Sequence, residues 1–141
     1  MERPKEVVLD ASVAVKWFST EEGTDLAVTL RDEHINGHLT IVSPDLLVYE
    51  VSNALRYNPN FGHADVEEAA KSIFDIDLDL VPPNEEIFEK AAARAFEFGV
   101  TIYDGCYVAL SELMGLELVT GDKKLYKKIE KLKFVKLLEQ F

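Results

Sequence analysis

Cysteine is nearly missing from this chain: Cys106 is the only one in 141 residues. A lone cysteine closes no internal disulfide, so nothing in the fold calls for an oxidising compartment. Long apolar runs are missing too, since none approaches the roughly 20 residues that cross a bilayer. The N-terminal MERPKEVVLD is charged and interrupted by Asp10, unlike a secretory leader. Zinc ligands are scarce. His34 and His38 stand four apart, but Gly37 intervenes and no third ligand is near, so no zinc site is expected. These absences point to a cytoplasmic protein with no membrane partner.

Positive charge is also short. Lys and Arg number 15 against 26 Asp and Glu, a net charge of −11. That balance argues at first against a polyanionic partner. The distribution is uneven, however. Residues 1–119 hold 8 Lys/Arg and 23 Asp/Glu, while residues 120–141 hold 7 Lys and 3 Asp/Glu. A basic tail running from Lys123 to Lys136 therefore follows an acidic body. It reads either as a solvated helix face or as a phosphate-facing patch.

A hydrophobic content of 48% with 29% charged residues describes a globule with one core, a single domain over residues 1–141. The run at 6–10 is continuously apolar, as a strand buried on both faces should be. A short helix at 12–18, a longer one at 21–35 and a strand at 39–43 follow. Ser43 and Pro44 read as N-cap and first helical position of a helix through the Leu- and Val-rich stretch that carries Glu50. Further helices are expected at 64–76, 84–99, 101–115 and 123–131, and strands at 77–81, 116–120 and 134–138. The 77–81 strand alternates polar and apolar residues, as a half-exposed or edge strand would. Strands alternating with helices predict an α/β fold with a mainly parallel sheet.

In open α/β sheets ligands bind beyond the carboxyl ends of the strands, where strand order reverses. Asp10 closes the first strand, Asp122 follows the 116–120 strand, and Asp104 opens the helix before it. Each has a plain alternative as a helix cap: Asp10 near Ser12, Asp122 at Lys123, and Asp104 in a capping box with Thr101. Glu50 has no such alternative. It lies mid-helix on the flank of the arc formed by Leu47, Val48, Val51, Ala54 and Leu55. It is either a partly buried Glu paired with an Arg or Lys, or a carboxylate at the rim of a cleft. Asp104 lies similarly beside a stripe of Tyr103, Cys106, Tyr107, Leu110, Leu113 and Met114.

Four carboxylates converging at one sheet end would repel one another unless a cation neutralised them. Mg²⁺ or Mn²⁺, hard and oxygen-seeking, suits such a site. The chemistry that follows is phosphoryl transfer. The cation also inverts the sign of the cleft, so that an acidic protein can accept a polyanion. A haloacid-dehalogenase-type phosphatase fits poorly, because Asp10-Ala11-Ser12 lacks its second acid.

The segments VVLDASVAVKWF, PDLLVYEVSNAL, TIYDGCYVAL and LELVTGDKKL resemble, in order and spacing, the motifs of the PIN domain, and most of all those of VapC-type toxins. The resemblance covers nearly the whole chain. It implies a three-layer α/β/α sandwich with a central parallel sheet and a Mg²⁺- or Mn²⁺-dependent ribonuclease activity. Asp10, Glu50, Asp104 and Asp122 match the family's acidic quartet, as metal ligands and catalytic groups. Ser12 and Thr120 match its Ser/Thr positions within the metal site, and Asn53 matches an Asn that would orient Glu50. Lys123, Lys124 and Lys127 would contact RNA. A homodimer and a VapB-like antitoxin partner are implied as well. Gly105 departs from the family's usual Ala and is expected to loosen the first turn of its helix. The alternative is a catalytically silent PIN-like module that binds RNA or protein, though such modules usually lose an acid and this chain keeps all four.

Overall fold

The computed structural model describes residues 3–141. Among them five strands form one parallel sheet: β1 (Lys5–Leu9), β2 (Leu39–Pro44), β3 (Asp79–Val81), β4 (Leu118–Thr120) and β5 (Val135–Leu137). Their order across the sheet is β3-β2-β1-β4-β5. The expected parallel α/β architecture is therefore present, with β3 at one edge as its alternation predicts. Strand β1 is central, and Val7, Val8 and Leu9 are wholly buried.

Seven α-helices connect and flank the strands: α1 (Ala11–Ala14), α2 (Thr24–Ile35), α3 (Leu46–Arg56), α4 (His63–Ile76), α5 (Glu85–Phe98), α6 (Ile102–Met114) and α7 (Lys123–Ile129). From β1 the chain steps to β2 and β3. It then crosses back to β4 and β5, so its direction reverses at the β1–β4 seam. Right-handed crossovers place α1–α4 on one face and α5–α7 on the other. The packing of α3 on α4 and of α5 on α6 agrees with these layers. Among the described residues no helix is long and apolar enough to cross a membrane.

Two boundaries differ from expectation for physical reasons. Ser43 and Pro44 end β2 instead of starting α3. The Ser43 hydroxyl donates to the Leu9 carbonyl at 2.5 Å, and this tie between β2 and β1 competes with capping. Pro44 closes the strand, and the next amide, Asp45, donates to the Val81 carbonyl at 3.0 Å. Helix α2 begins at Thr24, not at residue 21, because Gly23 adopts a left-handed φ of 87° that a helix interior excludes. Glu21 and Glu22 are left in the preceding turn, where Glu21 pairs with Lys16 at 3.1 Å.

The stripe foreseen on α6 is instead a buried band. Gly105 through Ser111 are all buried, while Tyr103 and Met114 are exposed. Gly105 makes this possible. A Cβ there would stand 2.6 Å from the carbonyl oxygen of Ala91 on α5, so the glycine lets the two helices close together. Its role is close packing, not the loosened turn read from propensity alone.

Candidate active site

The β1–β4 seam carries a tight knot of hydrogen bonds at its carboxyl end. Asp10 follows β1 and is 4% exposed. Its Oδ1 accepts from the Ser12 amide at 3.1 Å and from the Ser12 hydroxyl at 2.5 Å. Its Oδ2 accepts from the Thr120 hydroxyl at 2.5 Å. Ser12 Oγ in turn accepts from the Gly121 amide at 2.8 Å, and Thr120 Oγ1 from the Asp122 amide at 3.1 Å. Parallel register, with Leu9 beside Val119, sets the two strand ends level and makes the knot possible.

Three of the four acids are placed by local structure that the capping alternatives foresaw. Asp10 caps α1 through the Ser12 amide. Asp122 caps α7, accepting from Lys124 and Leu125 at 3.0 Å each. The Thr101 hydroxyl accepts from the Asp104 amide at 3.0 Å and so fixes the start of α6. Capping does not exclude a site role here. A cap uses one oxygen of a carboxylate, or, at Asp104, only the backbone.

Glu50 projects from α3 and is half-buried. Among the described residues it forms no ion pair with Lys or Arg, and neither do Asp10, Asp104 and Asp122. The buried-pair explanation for Glu50 is thereby removed. Asn53 does not do what was expected of it. It is exposed one turn further on and makes no hydrogen bond to Glu50.

The carboxylates sense one another. Burial pushes Asp10 up to about 6, against the downward pull of the Ser12 and Thr120 hydroxyls, and Asp104 adds to the rise. Burial also raises Glu50, the Tyr107 hydroxyl opposes this, and Asp104 again contributes upward. Asp104 is itself raised, first by burial, then by Asp122, while Thr101 and Lys128 hold it down. Asp104 thus couples to each of the other three.

Of the three open hollows that Asp122 borders, two hold other acids of the candidate quartet. One, of about 450 Å³, is bordered by Ser12, Lys16, Glu21, Glu50 and Asp122. The other, of about 390 Å³, is bordered by Thr101, Asp104, Asp122, Lys124 and Lys128. Of the expected RNA contacts, Lys124 borders this second hollow and Lys123 pairs with Glu22 at 3.4 Å. Lys127 borders neither, whereas Lys128, one turn after Lys124, does. Glu21 and Lys128 were not singled out from the sequence. Glu21 reaches the site only because α2 starts late, and Lys128 only through its i+4 spacing from Lys124.

The donor set fits a hard divalent cation. It is all oxygen and partly desolvated, and among the described residues none of the four acids is ion-paired with a Lys or Arg. Among the described residues no three of these acids stand together as a ready-made ion cage. Mg²⁺, which keeps several waters and takes only one or two carboxylates directly, does not require such a cage.

Residues 7–131 match the family model described as "PIN domain". Ribonuclease VapC3 of Pyrobaculum aerophilum is 30% identical over 126 residues, covering 86% of this chain and 93% of that protein. Exonuclease VapC9 of the same organism is 31% identical over 131 residues, covering 89% and 86%. A toxin-antitoxin complex from Klebsiella pneumoniae contains a chain that superposes with a TM-score of 0.68 at 15% identity, covering 96% of this chain and 99% of that one. That likeness carries the fold.

Proposed function

The chain belongs to the PIN domain family, and from that membership and the site geometry we propose that it is a divalent-metal-dependent endoribonuclease, the toxin of a VapBC-type pair. The observation that carries the reading is Asp10. It is a buried carboxylate at the strand-order reversal, held by two hydroxyls and coupled to Asp104, with no protein cation beside it. A single domain over residues 1–141 performs the reaction.

Asp10 and Asp104 hold the cation directly, and Glu50 and Asp122 hold it directly or through water. Mg²⁺ or Mn²⁺, when bound, supplies charge neutralisation at the scissile phosphate and lowers the pKa of the attacking water. The protein does the positioning. Ser12 and Thr120 fix both oxygens of Asp10, so its carboxylate cannot rotate away. A carboxylate that held the cation only through water, Glu50 or Asp122, would be placed to take up the proton that an attacking water gives up. Lys124 and Lys128, beside Asp104 and Asp122, meet the phosphates of the RNA that flank the cut.

The antitoxin partner is part of the same reading, supported by the VapC names of the relatives, and the homodimer is proposed with it. Size-exclusion chromatography with light scattering reads the dimer. Cleavage of defined RNAs with Mg²⁺ or Mn²⁺ reads the activity. Wild type is expected to cut internally, and Asp10→Asn to be folded and inactive. Equal cleavage by Asp10→Asn overturns the assignment. Release of single nucleotides from one end, with no internal cuts, replaces endonuclease by exonuclease.

A further inference from the structure

Tyr107 lies one turn beyond Asp104 on α6 and is 1% exposed. Interior tyrosine hydroxyls ordinarily find an acceptor, because leaving one unpaired costs about 1–3 kcal/mol. This hydroxyl is buried and makes no hydrogen bond among the described residues. A phenylalanine would fill the same core volume without that cost. The hydroxyl therefore calls for an explanation outside packing.

Its surroundings supply one. The charged groups that act on it are Glu50, Asp10 and Asp104, three of the four site acids. Burial first, and then these acids, keep it protonated, so toward a carboxylate it acts as the donor. Glu50 exerts the strongest pull of the three, and the phenol stabilises the Glu50 carboxylate in return. The two groups are within each other's influence, yet no well-directed bond joins them. Glu50 is therefore the acceptor at hand for this hydroxyl.

We propose that Tyr107 is a positioning residue of the metal site, whose hydroxyl donates to one Glu50 oxygen and turns the other toward the cation. It takes the part expected of Asn53. The inference rests on the metal-dependent reading above. It adds that the site is organised from beneath, by α6, as well as from the β1–β4 seam.

The test is Tyr107→Phe, which removes the hydroxyl and leaves the ring. In EDTA the variant is expected to melt at or above the wild-type temperature, because an unpaired buried group has gone. Its affinity for Mn²⁺, titrated by calorimetry without RNA, is expected to fall by about tenfold or more, the usual effect of losing a group that orients a ligand. In cleavage, kcat is expected to fall with KM for RNA little changed. In a Glu50→Gln background the same substitution is expected to add nothing further. Wild-type Mn²⁺ affinity in Tyr107→Phe overturns the inference and leaves the nuclease reading standing. A melting temperature in EDTA several degrees below wild type also overturns it, because the hydroxyl would then be paired without metal. If wild type itself binds no Mn²⁺, both readings fall.

Discussion

The Thr120 hydroxyl donates to Asp10 across the β1–β4 seam, at 2.5 Å between residues 110 positions apart. A hydrogen bond to a buried carboxylate contributes about 1.5–3 kcal/mol. Thr120→Val keeps the shape and removes the donor. Expected is a stability loss of that order in urea unfolding at pH 7, together with about a 10–100-fold loss of cleavage. Unchanged values for both would show that Ser12 alone suffices to hold Asp10.

The raised Asp10 pKa has a definite sign in stability. An ordinary Asp titrates near 3.8, and here it is pushed up to about 6. Between those values the folded state binds more protons than the unfolded one, so stability falls as pH rises. A shift of that size is about 3 kcal/mol, present below pH 4 and lost above pH 6. In EDTA, Asp10→Asn is therefore expected to gain on wild type as pH increases from 4 to 7, as followed by thermal melting. A wild-type–variant gap that does not change with pH would contradict the burial of Asp10. Saturating Mn²⁺ is expected to reverse the ranking at pH 7, since only wild type keeps the full ligand set.

Gly105→Ala sets two effects against each other. Helix propensity favours Ala by about 1 kcal/mol. The new Cβ, however, stands 2.6 Å from the Ala91 carbonyl oxygen, and backbone must move to admit it. Overpacking of this kind costs about 1–3 kcal/mol. Net destabilisation by denaturant titration is expected, and a stabilised variant would show that α5 yields freely.

Lys127 and Lys128 are adjacent in sequence but not equivalent in space. Lys128 borders the hollow with Asp104 and Asp122, and Lys127 does not. Lys128→Ala is expected to reduce the slope of log affinity against log salt by about 0.7, one phosphate contact to single-stranded RNA. Lys127→Ala is expected to leave the slope unchanged. The reverse pattern, measured by filter binding in Ca²⁺ to suppress cleavage, would move the RNA path to the other face of α7.

Asp10, Asp104 and Asp122 were legible in the sequence because strand ends in an α/β pattern say where side chains gather. Glu50 was legible because no helix end explains a carboxylate there. Tyr107 was not. In sequence it sits on an apolar stripe, and only the buried hydroxyl, under the influence of three acids, separates it from a core aromatic. The late start of α2 was hidden for a different reason. "EEGT" resembles an acidic first turn, and only the left-handed φ at Gly23 excludes it. Ser43 looked like a cap because propensity cannot see the Leu9 carbonyl on the neighbouring strand.

The unity of the site rests on Asp104, the one acid coupled to Asp10, Glu50 and Asp122 alike. The most direct measurement is a calorimetric titration of Mn²⁺ into wild type and into Asp104→Asn, with folding of each checked by circular dichroism. Wild type is expected to bind, and Asp104→Asn to lose most of that affinity while remaining folded. Undiminished binding by Asp104→Asn would contradict a single site built from the four carboxylates.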